Sequence, residues 1–226
     1  MIAHQGYSGK YLGNTEQAFL MAAENRSGGA ETDIRMTKDG VLVCNHNKTA
    51  VFEDGTELAI ADSTFAELTA KPLKNRHNNG DVYVCPLRRY LEIMKENSMI
   101  CFVELKGAFT DGQISDIFDL VREVYDLSKC ILQSFDFDNL VRIHQQIPDL
   151  PVMYTYGTNE RNYERCFDYG FSIDVDQYVI TEKMIEEFHE RNLEVGVWTV
   201  NEPDRLEYIR SLGVDYIESD FFGGRD

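Results

Sequence analysis

Positive charge is scarce in this chain. Its 226 residues carry 22 Lys and Arg against 39 Asp and Glu, for a formal net charge of −17 and an isoelectric point near 4.6. Phosphate backbones are held mainly by Lys and Arg, so nucleic acid is excluded as a partner class, and so is a general anionic membrane surface. A small anionic substrate stays open, because a local site or a bound cation overrides the global field. Long apolar runs are missing too. No stretch reaches the roughly 18 residues of a membrane span, so stable membrane insertion is not expected. Met1-Ile2-Ala3-His4 has neither the basic nor the apolar region of a secretory signal, which makes a cytoplasmic location the expectation. The five cysteines, Cys44, Cys85, Cys101, Cys130 and Cys166, include no C-x-x-C spacing, and several lie in apolar runs. They are expected to be buried free thiols in a reducing compartment, not a zinc site. There is no G-x-G-x-x-G or Walker pattern, which leaves a nucleotide site unsupported. What is present is an ordinary 43% of apolar residues, enough for a sizeable core.

Short apolar, β-branched or aromatic runs alternate with helical patterns. Strands are expected at 2–4, 30–34, 41–45, 99–105, 130–134, 152–156, 171–175, 195–200 and 215–219. Between them, Asn14-Thr15-Glu16-Gln17 has capping-box spacing. Thr110 and Gln113 do the same before Ile114, Ile117, Phe118, Val121 and Val124, which share one helix face. Asn201 is expected to cap a helix with Pro203 in its first turn. Repeated β-then-α units give a parallel sheet with outer helices, and eight main strands make a (β/α)8 TIM barrel, with a doubly wound open sheet as the alternative. One barrel domain over 1–226 is expected. Residues 48–85 break the rhythm and form a small insertion or lid after the second strand, with Thr64 and Glu67 as a capping box.

Alternation puts Glu31 and Asp33 on one strand face, and Glu104 and Lys106 on another. Carboxylates in apolar strands are costly to bury unless paired or metal-bound. Three of them at strand ends suit a divalent cation with oxygen ligands, Mg²⁺ or Ca²⁺; the competing reading pairs each with a rim cation. His4 and His46 follow strands at the barrel end where active sites lie, and two histidines facing one pocket can serve as general acid and base. His144 and His189 sit in helices as packing or surface residues, and His77 has no assigned role. Gly6, Gly9 and Gly13 surround a first loop whose backbone N–H groups can meet a phosphate. Trp198, the only tryptophan, either walls an apolar part of the pocket or fills core.

Together these residues resemble the glycerophosphodiester phosphodiesterase family. That family shows H-R-G…P-E-N-T, G-A-x-x-x-E-x-D-V-x-x-T-K-D-G and V-V-x-H-D. This chain has His4-Gln5-Gly6 and Asn14-Thr15, then Gly29-Ala30-Glu31-Thr32-Asp33-Ile34-Arg35-Met36-Thr37-Lys38-Asp39-Gly40, then Val43-Cys44-Asn45-His46-Asn47. Glu104-Leu105-Lys106, Gln133-Ser134-Phe135, Trp198-Thr199-Val200-Asn201 and Ser219-Asp220 extend the match over essentially the whole chain. The resemblance implies a metal held by Glu31, Asp33 and Glu104, with His4 and His46 as the acid/base pair. It also implies Lys106 facing the phosphate of a small phosphodiester, with Gln5 and Trp198 beside the substrate. A glycerol hydroxyl would attack phosphorus to give a cyclic phosphate that water opens.

The departures are local. The family's Arg is Gln5, its Pro-Glu is Leu12-Gly13, and its Asp is Asn47. Gln cannot supply the bidentate charge of Arg. If the side chains at 5 and 13 normally face each other, the loop has been rebuilt as a unit. Asn47 can still accept a bond from His46, with less support for an imidazolium. These changes motivate a second reading, an impaired barrel that only binds a phosphodiester. A sphingomyelinase D-like phosphodiesterase is the third.

Overall fold

The computed structural model describes residues 1–159 and 162–221. Its strands are β1 (Ile2–Ala3), β2 (Gly29–Met36), β3 (Leu42–Cys44), β4 (Thr49–Val51), β5 (Glu57–Ala59), β6 (Cys85–Pro86), β7 (Ile100–Leu105), β8 (Cys130–Ser134), β9 (Val152–Tyr156), β10 (Ser172–Asp176), β11 (Val195–Trp198) and β12 (Tyr216–Ser219). Eight of them, β1, β2 and β7 through β12, run parallel. Because β1 bonds both β12 and β2, the ring closes. The protein is therefore a (β/α)8 barrel, and closure rules out the open sheet. The helices are α1 (Glu16–Glu24), α2 (Phe65–Leu68), α3 (Leu87–Glu96), α4 (Asp111–Val124), α5 (Phe137–Gln146), α6 (Cys166–Tyr169), α7 (Glu182–His189) and α8 (Pro203–Ser211). No helix among the described residues is long and apolar enough to cross a membrane.

Alternation along β7 sets the two layers. Cys101, Val103 and Leu105 enter the main apolar cluster beneath the helices, while Phe102 joins Ile2, Ile131 and Met153 in a separate one. Glu104 follows on Phe102's face. The α4 helix opens with the expected Thr110–Gln113 capping box and buries Ile114, Ile117, Phe118, Val121 and Val124. Burying each such side chain contributes about 1.5–3 kcal/mol. All five cysteines are buried and free.

The stretch 48–85 is more structured than a lid. β3 and β6 extend the sheet antiparallel from β2, and β4 and β5 form a hairpin. Val43, Ala50, Phe52, Ile60, Leu68, Leu73, Val82 and Val84 make a separate apolar cluster there. Its strands are two or three residues long and carry too few apolar positions for alternation to reveal them. The Thr64–Glu67 capping box forms as expected.

Both asparagines read as helix caps turn out otherwise. Thr15, not Asn14, caps α1, its side chain accepting from Ala18 N–H. Asn14 sits at φ +60° and points toward β2. At α8 the cap position falls on Glu202, with Pro203 in the first turn as expected. Asn201 reaches back to Asp220 instead.

Candidate active site

Register builds the acidic centre. Asp33 on β2 lies directly beside Glu104 on β7, and Glu104 beside Gln133 on β8. Glu31, two residues before Asp33, shares its inward face. Ligand atoms of Glu31, Asp33 and Glu104 all lie within 4.8 Å of one another, and all three side chains are buried. Asp33 is held by two side-chain amides through three hydrogen bonds. Asn14 Nδ2 donates to Oδ2 at 2.7 Å, Gln5 Nε2 donates to the same atom at 2.9 Å, and Asp33 N–H donates to Asn14 Oδ1 at 3.0 Å. Gln5 N–H donates to Glu31 Oε2 at 2.9 Å, which leaves Glu31 Oε1 buried without a partner.

Lys106 lines the same cavity, but its ammonium is tied down. Nζ lies 3.0 Å from Asp33 Oδ1 and 2.6 Å from Glu104 Oε1. The cation expected to face a substrate is thus paired with two of the expected metal ligands. It does not neutralise the site. Burial, with Asp33, Glu218 and Glu104 nearby, pushes the Glu31 carboxyl well above the usual carboxylate range. Burial also pushes Glu104 up to about 7, against the pull of Lys106. Asp174 and Glu218, deeper in the barrel, are raised by burial and by neighbouring carboxylates. A hard divalent cation fits this donor set: three converging carboxylates, one buried oxygen without a partner, and excess negative charge. His4, Glu31 and Glu218 also approach within 4.8 Å of one another, but that set would occupy His4.

The two histidines line the same cavity, of about 270 Å³, together with Glu104, Lys106, Trp198 and Phe135. His4 follows β1 directly, and its N–H donates to Ser219 O. Its Nδ1 lies 2.7 Å from Asp220 Oδ1. Burial alone would raise the Asp220 carboxyl, but bonds from His4, Ser8 and Asn201 outweigh it and hold the group at about 2. An ionised Asp220 can only accept, so His4 carries a proton on Nδ1. His46 follows β3, and its Nδ1 lies 3.2 Å from Asn47 Oδ1. Arg35 fixes the loop, donating from Nε and Nη2 to His46 O and from Nη1 to Lys106 O. Trp198 donates Nε1–H to Asp174 O and meets Phe135 edge-on at 5.6 Å between centroids, so it both walls the cavity and braces the strands.

Two of the three glycine amides of the first loop are engaged within the chain and do not face a ligand. Gly6 N–H donates to Ala3 O and Gly9 N–H to Asp220 O. Residues 5 and 13 do face each other. A Cβ on Gly13 would stand 2.7 Å from Gln5 Oε1 and 2.9 Å from Gln5 Cβ. Sequence reasoning assigned no site role to Asp220, Asn14, Asn201 or Arg35. Asp220 follows β12 directly, so the strand-end rule that picked out Asp33 reaches it too. The two asparagines were hidden by their positions just before helices.

A closed (β/α)8 barrel with an acidic centre and two histidines at its strand ends defines a class of hydrolase. The chain belongs to the glycerophosphoryl diester phosphodiesterase family, whose model matches residues 4–223, and it is a phosphoric diester hydrolase by that membership. It is 25% identical, over 97% of this chain and 93% of the other, to a glycerophosphodiester phosphodiesterase of Caldanaerobacter subterraneus subsp. tengcongensis. Among solved structures, a glycerophosphodiester phosphodiesterase from Parabacteroides distasonis aligns at a TM-score of 0.80 and 25% identity, over 97% of this chain and 91% of that one. An Oleispira antarctica phosphodiesterase, solved with the product sn-glycerol-3-phosphate, aligns at 0.85 and 18% identity, over 97% and 92%.

Proposed function

We propose that the chain hydrolyses a small glycerol-type phosphodiester at the barrel mouth. Glu31, Asp33 and Glu104 would hold a divalent cation, Mg²⁺ or Ca²⁺, and His4 and His46 would serve as the proton-transfer pair. One observation carries this reading: both histidines line one cavity with Glu104 and Lys106, and the Nδ1 of each lies within hydrogen-bond distance of a side-chain oxygen. In that arrangement Nε2 of each ring is the atom left to exchange a proton with substrate. The Oleispira antarctica phosphodiesterase, which shares this fold, was solved with the product sn-glycerol-3-phosphate, which supports a glycerol phosphate as product here.

The rings have unequal partners. The ionised Asp220 accepts from His4 Nδ1 and orients the ring, which suits His4 to protonate the leaving alkoxide. Asn47 offers His46 only an amide oxygen, which suits His46 to take the proton of the attacking glycerol hydroxyl. The hydroxyl oxygen then bonds to phosphorus as the alkoxide leaves, and water opens the resulting cyclic ester with the proton roles reversed. A divalent cation held by Glu31, Asp33 and Glu104 would supply Lewis-acid polarisation of the phosphoryl oxygens. Lys106, beside the same carboxylates, offsets the charge that develops on phosphorus. Asn14 and Gln5 hold Asp33, and Arg35 holds the His46 loop.

The test is a panel of glycerophosphodiesters incubated with Mg²⁺ or Ca²⁺ and followed by phosphorus NMR with and without chelator. Cation-dependent monoester or cyclic-phosphate signals are expected. Binding without turnover, with cation present, would replace this reading by the binding-only barrel.

A further inference from the structure

A second cavity, of about 350 Å³, opens beside the barrel mouth and shares two residues with it, Gln5 and His46. The rest of its wall comes from the first loop and from the insertion, including Leu73, Lys74 and Arg76. Its chemistry is the reverse of the barrel cavity. Among the described residues no Asp or Glu lines it, in a chain with 39 of them, whereas Glu104, Asp174 and Glu218 all line the barrel cavity. Among the described residues neither Lys74 nor Arg76 has a carboxylate within ion-pair distance. Arg76 gives Nε–H to His77 Nε2 and Nη2–H to Ser8 O at 3.4 Å, which leaves donors to spare. At the junction, Gln5 turns its amide toward Asp33 and offers no charge.

We propose that this second cavity is an anionic subsite that takes a further phosphate of the substrate. The preferred substrate class is then a glycerophosphodiester bearing a second phosphate on one side of the scissile bond. The proposal rests on the phosphodiesterase reading for the position of the scissile group. The physical case is charge placement. A substrate reaching out of the barrel past His46 meets a wall with two cations and no carboxylates. Its second anion gains charge-assisted hydrogen bonds there that a single-phosphate substrate cannot make. The His77 ring and the Ser8 carbonyl engage the Arg76 guanidinium, so part of its ordering cost is met before the ligand arrives.

Two probes isolate the effect: glycerophosphoglycerol, with one phosphate, and bis(glycerophospho)glycerol, with two joined by a glycerol. At low salt the two-phosphate probe is expected to show kcat/KM about tenfold higher, the size of one charge-assisted hydrogen bond. That lies beyond the twofold advantage of its two equivalent ester sites. The preference should shrink as salt is added. The double variant Lys74→Ala/Arg76→Ala should reduce the ratio to about two, with the one-phosphate rate unchanged. A ratio of two in the parent protein, or a preference that survives the double variant, overturns the proposal. If neither probe turns over with Mg²⁺ or Ca²⁺, the phosphodiesterase reading fails on its own, and calorimetry then decides the subsite. Tighter binding of the two-phosphate probe, lost in the double variant, supports it. Equal binding, or binding of neither, overturns it.

Discussion

The cavity inside the barrel and the cavity under the insertion meet at His46 and Gln5 with opposite linings. The first gathers buried carboxylates from several strands, while the second has cations and amides and, among the described residues, no carboxylate. The inner charge is set by register, because inward positions at the tops of parallel strands converge whatever their sign. Such a cluster persists only with donors and cations to offset it, which is the work of Lys106, Asn14 and Gln5. The outer cavity draws its cations from the insertion, so it is free to vary without disturbing the barrel. A net charge of −17 therefore says little about either site, since the acidic excess and the local cations are separated by a few residues.

The sharpest way to break the contrast is to remove the proposed inner proton-transfer group. His4→Ala is expected to lower kcat/KM by about 10³-fold with circular dichroism unchanged, the usual scale for a lost general acid. Retained activity would end the acid assignment. Asn14→Ala leaves every expected ligand in place but removes one of the two side-chain amides that hold Asp33. It should weaken cation binding about 10–100-fold by calorimetric titration, as outer-shell partners do. Unchanged affinity would show that Asp33 does not depend on it.

Asp220 tests the inner site through pH. Its folded pKa, about 2, lies below the ordinary 3.8, so its contribution is present above pH 3.8 and is lost as pH falls toward 2. Urea unfolding across that window should show about 2 kcal/mol disappearing from the parent protein. Asp220→Asn should lack that step. The smallest effect concerns the junction. Gly13→Ala should cost about 1 kcal/mol of stability through crowding against Gln5. In a Gln5→Gly background, where glycine suits the φ of +54°, most of the cost should vanish, leaving only the 3.2 Å approach to Ser8 Cβ. An equal cost in both backgrounds would show that the two positions are independent.

Much of the barrel was legible in the sequence. The runs 100–105, 130–134 and 152–156 are apolar enough to mark buried strands, and the T-K-D-G and E-x-D matches tied the first half to a known pattern. Carboxylates in those strands stood out because burial makes them costly, which is how Glu31, Asp33 and Glu104 were found. The supporting groups were harder. Asn14 and Asn201 stand where a cap is common, and local sequence cannot tell an asparagine that caps a helix from one that reaches Asp33 or Asp220. The strands β4, β5 and β6 are held by an apolar cluster assembled over some forty residues, a tertiary effect that short windows do not register. The outer cavity was illegible for a similar reason. Lys74 and Arg76 sit in a polar, turn-rich stretch, and only the packing of the insertion brings them beside His46.

The central claim is that the inner carboxylates hold a divalent cation and the outer wall does not. Crystals soaked in Mn²⁺, examined by anomalous scattering, test it directly. One peak among Glu31, Asp33 and Glu104, with Lys106 Nζ displaced from them, is the expected result. No peak there, or a peak among His4, Glu31 and Glu218, would contradict the account.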